Sequence, residues 1–300
     1  MSDTTASLSR KIGTAGDLQS VVRTMKAVAA SSITQYENAV RALDDYYRTV
    51  QLGLVACLRQ SRQPQAPART PRQKDGAIAA VVFGSDQGLV GQFNDVIASF
   101  TLKTLDDLPG AKTVCAVGER IQSRLAETPL RLGRSFALPG SIGAITPLVG
   151  QLLIEIDALL AQGEITQIYV FHSHPDAGAS YSPVCQRLLP LDEAWQRELS
   201  AMAWPTQNLP QAINGIEAAL PAFVREYLFV SLFRACAESL ASENASRLAA
   251  MQRAEKNIDE LLEDLNRSFH RLRQSGIDEE LFDLVAGFEA LTEAKPPSDT

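Results

Sequence analysis

The chain has 300 residues, 45% of them hydrophobic and 21% charged. Its formal net charge of -7 excludes a general nucleic-acid binder, which needs a clustered excess of Lys and Arg to neutralise phosphates. Aromatic residues make up only 6%, so the core must rest on Leu, Ala, Val and Ile, as in helical proteins.

From Leu8 the apolar positions run Ile12, Ala15, Leu18, Val22, Met25, Ala29, Ile33, Tyr36, Val40, Leu43, Tyr47, Val50, Leu54 and Leu58. Every step is three or four residues. The pattern predicts one helix of roughly 50 residues, about 75 Å long, ending near Gln60. A stripe so narrow and long wants one partner helix. The following segment, SRQPQAPARTPRQKDG, is rich in proline and arginine and reads as an exposed linker.

The middle of the chain alternates strands and helices. GAIAAVVFG (76–84) is a continuous apolar run and predicts a strand buried on both faces. A turn, SDQGLVGQFN, leads into the helical stretch NDVIASFTLKTLDDL. KTVCAVG (112–118) predicts a second strand and ERIQSRLAE a second short helix. ITPLVGQLLIEIDALLAQG predicts a third, EITQIYVFH (164–172) a further strand, and PVCQRLLPL an edge strand. Alternation of this kind predicts a parallel, Rossmann-like sheet.

After LPQAINGIEAAL, read as a short helix stopped before Pro221, the chain can run helical from Pro221 nearly to Leu291. Phe223, Tyr227, Val230, Phe233, Leu240, Leu248, Met251, Ile258, Leu262, Leu265, Phe269, Leu272, Leu281, Leu284, Val285 and Phe288 mark its apolar side. The expected organisation is therefore an N-terminal helix (1–62), a linker (63–75), an α/β domain (76–205), a returning helix (206–291) and a tail (292–300). Residues 1–62 carry 8 basic and 5 acidic side chains, whereas residues 206–300 carry 9 basic and 16 acidic. The opposite bias suits two ends that lie against each other.

Cys57, Cys115, Cys185 and Cys236 form no C-x-x-C pair and read as free thiols of a reducing compartment. No apolar run approaches the ~18 residues of a membrane span, and MSDTTASLSRK has no signal-peptide core. The turn Gly84–Gly91 lies where phosphate-binding loops lie, but matches neither G-x-G-x-x-G nor G-x-x-x-x-G-K-[ST], so its glycines read as permitting close packing. Asp86 follows a strand but has no convincing catalytic partner. His172-Ser173-His174-Pro175 resembles the H-S-H-P core of JAMM-type metallopeptidases, giving a zinc-hydrolase alternative. In that motif Ser182 occupies the serine position, while Cys185 stands where the third metal ligand, an Asp, should be. Neither early strand supplies that family's general-base Glu, so the plain reading is two histidines at a solvent-facing strand end.

The whole chain resembles another family more closely. ASLSRKIGTAGDLQSVVRTMKAVAASSI (6–33) is similar to the start of the gamma subunit of F-type ATP synthases. SDQGLVGQFN (85–94) resembles its S-D-R-G-L-C-G-G-L-N turn, and residues 238–291 resemble its C-terminal signature almost throughout. IYVFHSHPDAGASYSPVCQRLLPL occupies the place of that family's strand–loop–strand ending in Leu-Leu-Pro-Leu.

The resemblance implies an antiparallel coiled coil of the two terminal helices with a Rossmann-like domain inserted between them. It implies a non-catalytic rotor shaft, without cofactor or metal, that couples ion-driven rotation to ATP synthesis or hydrolysis. The implied partners are alpha and beta subunits, an epsilon subunit and a membrane c-ring, on the cytoplasmic side of a bacterial inner membrane. Contacts with the alpha/beta ring are implied at Arg23, Met25, Arg247, Arg273, Gln274 and Glu280. Asp278 replaces a usual Thr, Gln87 a usual Arg and Val90 a usual Cys, which suggests a divergent branch such as the sodium-linked type. A coiled-coil scaffold unrelated to ATPases is the other alternative.

Overall fold

The computed structural model describes residues 4–60, 77–176, 180–191 and 215–293, with residues 197, 199, 201–202, 204–206 and 208. The linker expected at 63–75 lies outside the described residues, as do the first half of the short helix expected before Pro221 and the end of the tail. The elements in chain order are α1 (Thr5–Gln60), β1 (Ile78–Phe83), α2 (Phe93–Asp106), β2 (Lys112–Val117), α3 (Glu119–Ala126) and β3 (Arg131–Leu132). They continue with α4 (Ile145–Ala161), β4 (Gln167–Pro175), β5 (Tyr181–Leu189) and α5 (Ile216–Glu293). The chain divides into two compact units: Met1–Ala27 with Met251–Thr300, and Val28–Ala250.

In the first unit, α1 and α5 run antiparallel. Gln19 donates to Asp259, and Arg23 and Lys26 both reach Glu255, at 3.0 and 2.5 Å. Leu8 and Ala15 are buried in the seam, while Ile258, Leu262, Leu265, Phe269 and Leu272 are half-buried along α5. These are the positions that a period of 3.6 selects. Leu18 is the exception on the stripe, at 54% exposure beside an open apolar groove lined by Ala15, Leu261 and Leu265.

The second unit is built on a five-stranded sheet of order β3-β2-β1-β4-β5. β1 pairs in parallel with both β2 and β4, and only β5 runs antiparallel, against β4. β1 is buried at every position, because both faces are covered. One face carries α2 and α3 over Ile78, Ala80, Val82, Tyr169 and Phe171. The other carries α4 and parts of α1 and α5 over Ala79, Val81, Phe83, Ile168 and Val170. By length and composition alone, residues 142–161 could cross a membrane, which the reading of short apolar runs overlooked. Here α4 turns Ile145, Leu148, Val149, Leu152 and Ile156 into the core.

Two elements differ from expectation. β3 is only two residues long, too short for any periodic signal. α5 begins at Ile216 rather than at Pro221, so the proline sits inside it. Near a helix start this is tolerable, because the missing amide costs a single early hydrogen bond.

Candidate functional site

In doubly wound sheets, ligands bind outside the carboxyl ends of the strands, at the point where strand order reverses. Here that point lies between β1 and β4. The space is filled by α5, which is buried at all but Phe229 and Arg234 from Tyr227 to Ser246. Small residues let it approach: Ala235, Cys236, Ala237, Ser239, Ala241, Ser242, Ala245 and Ser246 are all buried.

A polar row on this segment, spaced four apart, meets the end of β4 and the turn after β1. Glu238 meets His172 and His174, the Ser242 hydroxyl donates to Ser173 O at 3.0 Å, and the Ser246 hydroxyl donates to Val90 O at 2.6 Å. The expected nucleotide-site location is thus occupied by the chain itself. The turn before α2 is likewise tied up internally. Ser85 N donates to Asn94 Oδ1, and Asn94 Nδ2 donates to Ser85 Oγ. A Cβ on Gly84 would come within 2.2 Å of Ile121 Cβ, and Leu89 and Gly91 both take positive φ. The glycines therefore serve tight turning and close helix packing. Asp86 is structural too: its two oxygens accept from the amides of Glu119 and Leu138, at 2.9 and 3.1 Å.

The histidines are not the solvent-facing pair expected from sequence. His172 is 5% exposed. Two apart on a strand, His172 and His174 share a face. His172 Nε2 lies 2.9 Å and His174 Nδ1 3.0 Å from the same oxygen, Glu238 Oε2. Arg234 Nε holds the other oxygen at 2.7 Å, and Arg234 Nη1 reaches Asp44 at 3.5 Å. Burial alone would raise the Glu238 pKa. Hydrogen bonds from His172, His174 and Arg234 outweigh it and bring the carboxyl to about 2. Glu238 was missed in the sequence, where it reads as one more helix charge. The available signal was an acid set in a run of small residues, ACAESLASENAS.

The zinc-hydrolase alternative fails on geometry. Cys185 pairs with Phe171 and packs with it in the α2/α3 layer, whereas His172 and His174 face α5. The expected third ligand is therefore on the opposite side of the sheet. The four cysteines are free thiols. Burial pushes Cys115 and Cys185 up to about 11 and raises Cys236 as well, which keeps them unreactive.

The residues implied as ring contacts fall in different settings. Arg23 is exposed and paired with Glu255, and Met25 is half-buried. Arg273, Gln274 and Glu280 are exposed on α5. Arg247 instead turns inward: its side chain is 13% exposed, 2.5 Å from Glu243 and 3.3 Å from Asn244.

A family model described as ATP synthase matches residues 4–291. A curated ATP synthase gamma chain of Moorella thermoacetica is 27% identical, over 95% of this chain and 98% of its own. One of Chromobacterium violaceum is 26% identical, over 94% and 97%. Among solved structures, a chain of the Euglena gracilis mitochondrial ATP synthase OSCP/F1/c-ring assembly superposes with a TM-score of 0.67 at 17% identity, covering 99% of this chain and 98% of that one. A chain of the Tetrahymena thermophila central stalk/c-ring superposes with a TM-score of 0.57 at 23% identity, covering 78% and 99%. These matches span both helices and the inserted sheet together, which an unrelated coiled-coil scaffold would not explain. With the family match running over nearly its whole length, the chain belongs to the ATP synthase family.

Proposed function

We propose that this chain is the gamma chain of an F-type ATP synthase, the central shaft that couples rotation of a membrane ring to ATP synthesis or hydrolysis in an alpha/beta ring. The observation that carries this reading is the overhang of α5. The pairs Gln19–Asp259 and Arg23–Glu255 set a register in which Thr5 lies opposite the region of residue 273. Beyond it α5 continues to Glu293 with no partner helix among the described residues, for about 30 Å at 1.5 Å per residue. Along this length Ile277, Leu281, Leu284 and Val285 form one exposed stripe, with Phe282 beside it. An uncovered apolar spindle of this kind wants a surrounding sleeve, and a catalytic ring supplies one.

In this reading the chain itself is not an enzyme. The asymmetric shaft biases each surrounding subunit toward a different conformation by differential contacts. Residues 1–62 and 206–291 form the shaft, and residues 76–205 form the foot that meets the epsilon subunit and c-ring, peripheral to the cytoplasmic face of a bacterial inner membrane. Arg273, Gln274 and Glu280, exposed at the start of the overhang, are the tip contacts, with Arg23 and Met25 further down. Arg247 acts inside the chain instead.

The test is reconstitution. The purified chain alone should hydrolyse no ATP, and with its alpha and beta partners it should restore stable hydrolysis coupled to rotation. Within that complex, Arg273→Glu should reduce coupling. A chain that fails to enter the ring would end the proposal.

A further inference from the structure

The shaft reading gives no role to the cluster around Glu238. We propose that His172 Nε2, His174 Nδ1 and Glu238 Oε2 form a binding site for a divalent cation of the zinc class, joining β4 to α5. This site is independent of the shaft reading.

The donor set is two imidazole nitrogens and one carboxylate oxygen, which suits zinc and its neighbours. The three atoms lie within 4.8 Å of one another. Ligands about 2.0 Å from a tetrahedral ion sit about 3.3 Å apart. The two nitrogens stand 2.9 and 3.0 Å from Glu238 Oε2, close to that spacing, and His174, 43% exposed, is free to adjust toward a shared ion. The frame is rigid, because His172 and Glu238 are both buried.

The surroundings fit a cation. Arg234 takes Oε1 and leaves Oε2 to the site, fixing the carboxylate as an outer hydrogen bond commonly does for a ligand. Asp44 balances Arg234, so with neutral imidazoles the group carries one net negative charge. A cavity of about 160 Å³ opens on the three ligands and is also lined by Val184, Gln186 and Ser231. It leaves room for a water as fourth ligand. One feature limits affinity. His172 Nδ1 is buried with no hydrogen-bond partner among the described residues. On metal binding the ring proton moves there, and the lack of an outer acceptor weakens such sites typically ten- to a hundred-fold.

The experiment uses the full chain, dialysed with Zn²⁺ or Co²⁺ and then freed of loose metal. The expected result is one zinc per chain by elemental analysis, and a cobalt form with the visible absorption of a four- or five-coordinate ion. His174→Gln should lose both signals, since His174 is 43% exposed and its replacement leaves the core intact. His270→Gln, changed on the exposed face of α5, should keep them. Wild-type chain that retains no metal and shows no cobalt band overturns the proposal, as does equal uptake by His174→Gln.

Discussion

α5 is one helix with two characters. From Tyr227 to Ser246 nearly every residue is buried, and small side chains dominate. From Gln252 to Phe288 no residue is buried, and long charged side chains dominate. Both stretches keep an apolar stripe, yet their charges are handled differently. In the encased stretch Glu238 and Glu243 are 5% and 4% exposed, each fastened to an arginine one turn on or back. In the open stretch Glu255 meets Arg23 and Lys26 across the pair in contact with water. The helix period alone cannot separate the two settings. What separates them is whether a charge can be removed without stranding its partner in a dry place.

The largest expected effect follows from that. Arg247→Ala strands Glu243, whose pKa burial already raises against the pull of Arg247. We expect a loss of about 3 kcal/mol at neutral pH by urea denaturation. A carboxyl with a raised folded pKa stabilises below its unfolded value and loses that contribution as pH rises through the folded one. The deficit should therefore shrink as pH falls toward 4.5, and a pH-independent deficit would break the comparison.

A smaller effect belongs to the turn after β1. Gly84→Ala forces a Cβ into Ile121 and against Asn94 Oδ1, 2.8 Å away. It should cost about 1–3 kcal/mol by overpacking, measured as a shifted denaturation midpoint with an unchanged slope.

The smallest effect sharpens the contrast from the open side. Hydrogen bonds from Lys26 and Arg23 lower the Glu255 pKa. The stabilisation it brings is present above the usual carboxylate value and fades as pH falls below it. Glu255→Gln should scarcely move the melting temperature at neutral pH, and any difference should disappear in high salt.

Most of the architecture was legible because it is periodic. The stripe from Leu8 to Leu58 predicted α1, and the runs at 76–84 and 112–118 marked β1 and β2. β3 was illegible because two residues have no period, and the early start of α5 because Pro221 is a strong stop signal, yet stands here as the sixth residue of the helix. The histidine cluster was half legible. The spacing of His172 and His174 put them on one face, but Glu238 reaches them from 64 residues further on. Chain order carries no sign of that pairing. Cys185 was misleading for the same reason: the β4–β5 register, not the count along the chain, decides which way it points.

The row Glu238, Ser242 and Ser246 has a mechanical consequence. Apolar packing is indifferent to a helix rolling or sliding by small amounts, but hydrogen bonds have direction. Three polar fastenings at successive turns work like a key in a slot. One residue of axial slip, about 1.5 Å with a turn of 100°, would unseat all three together. Torque carried by this stretch of α5 is thereby delivered to the sheet without lost motion.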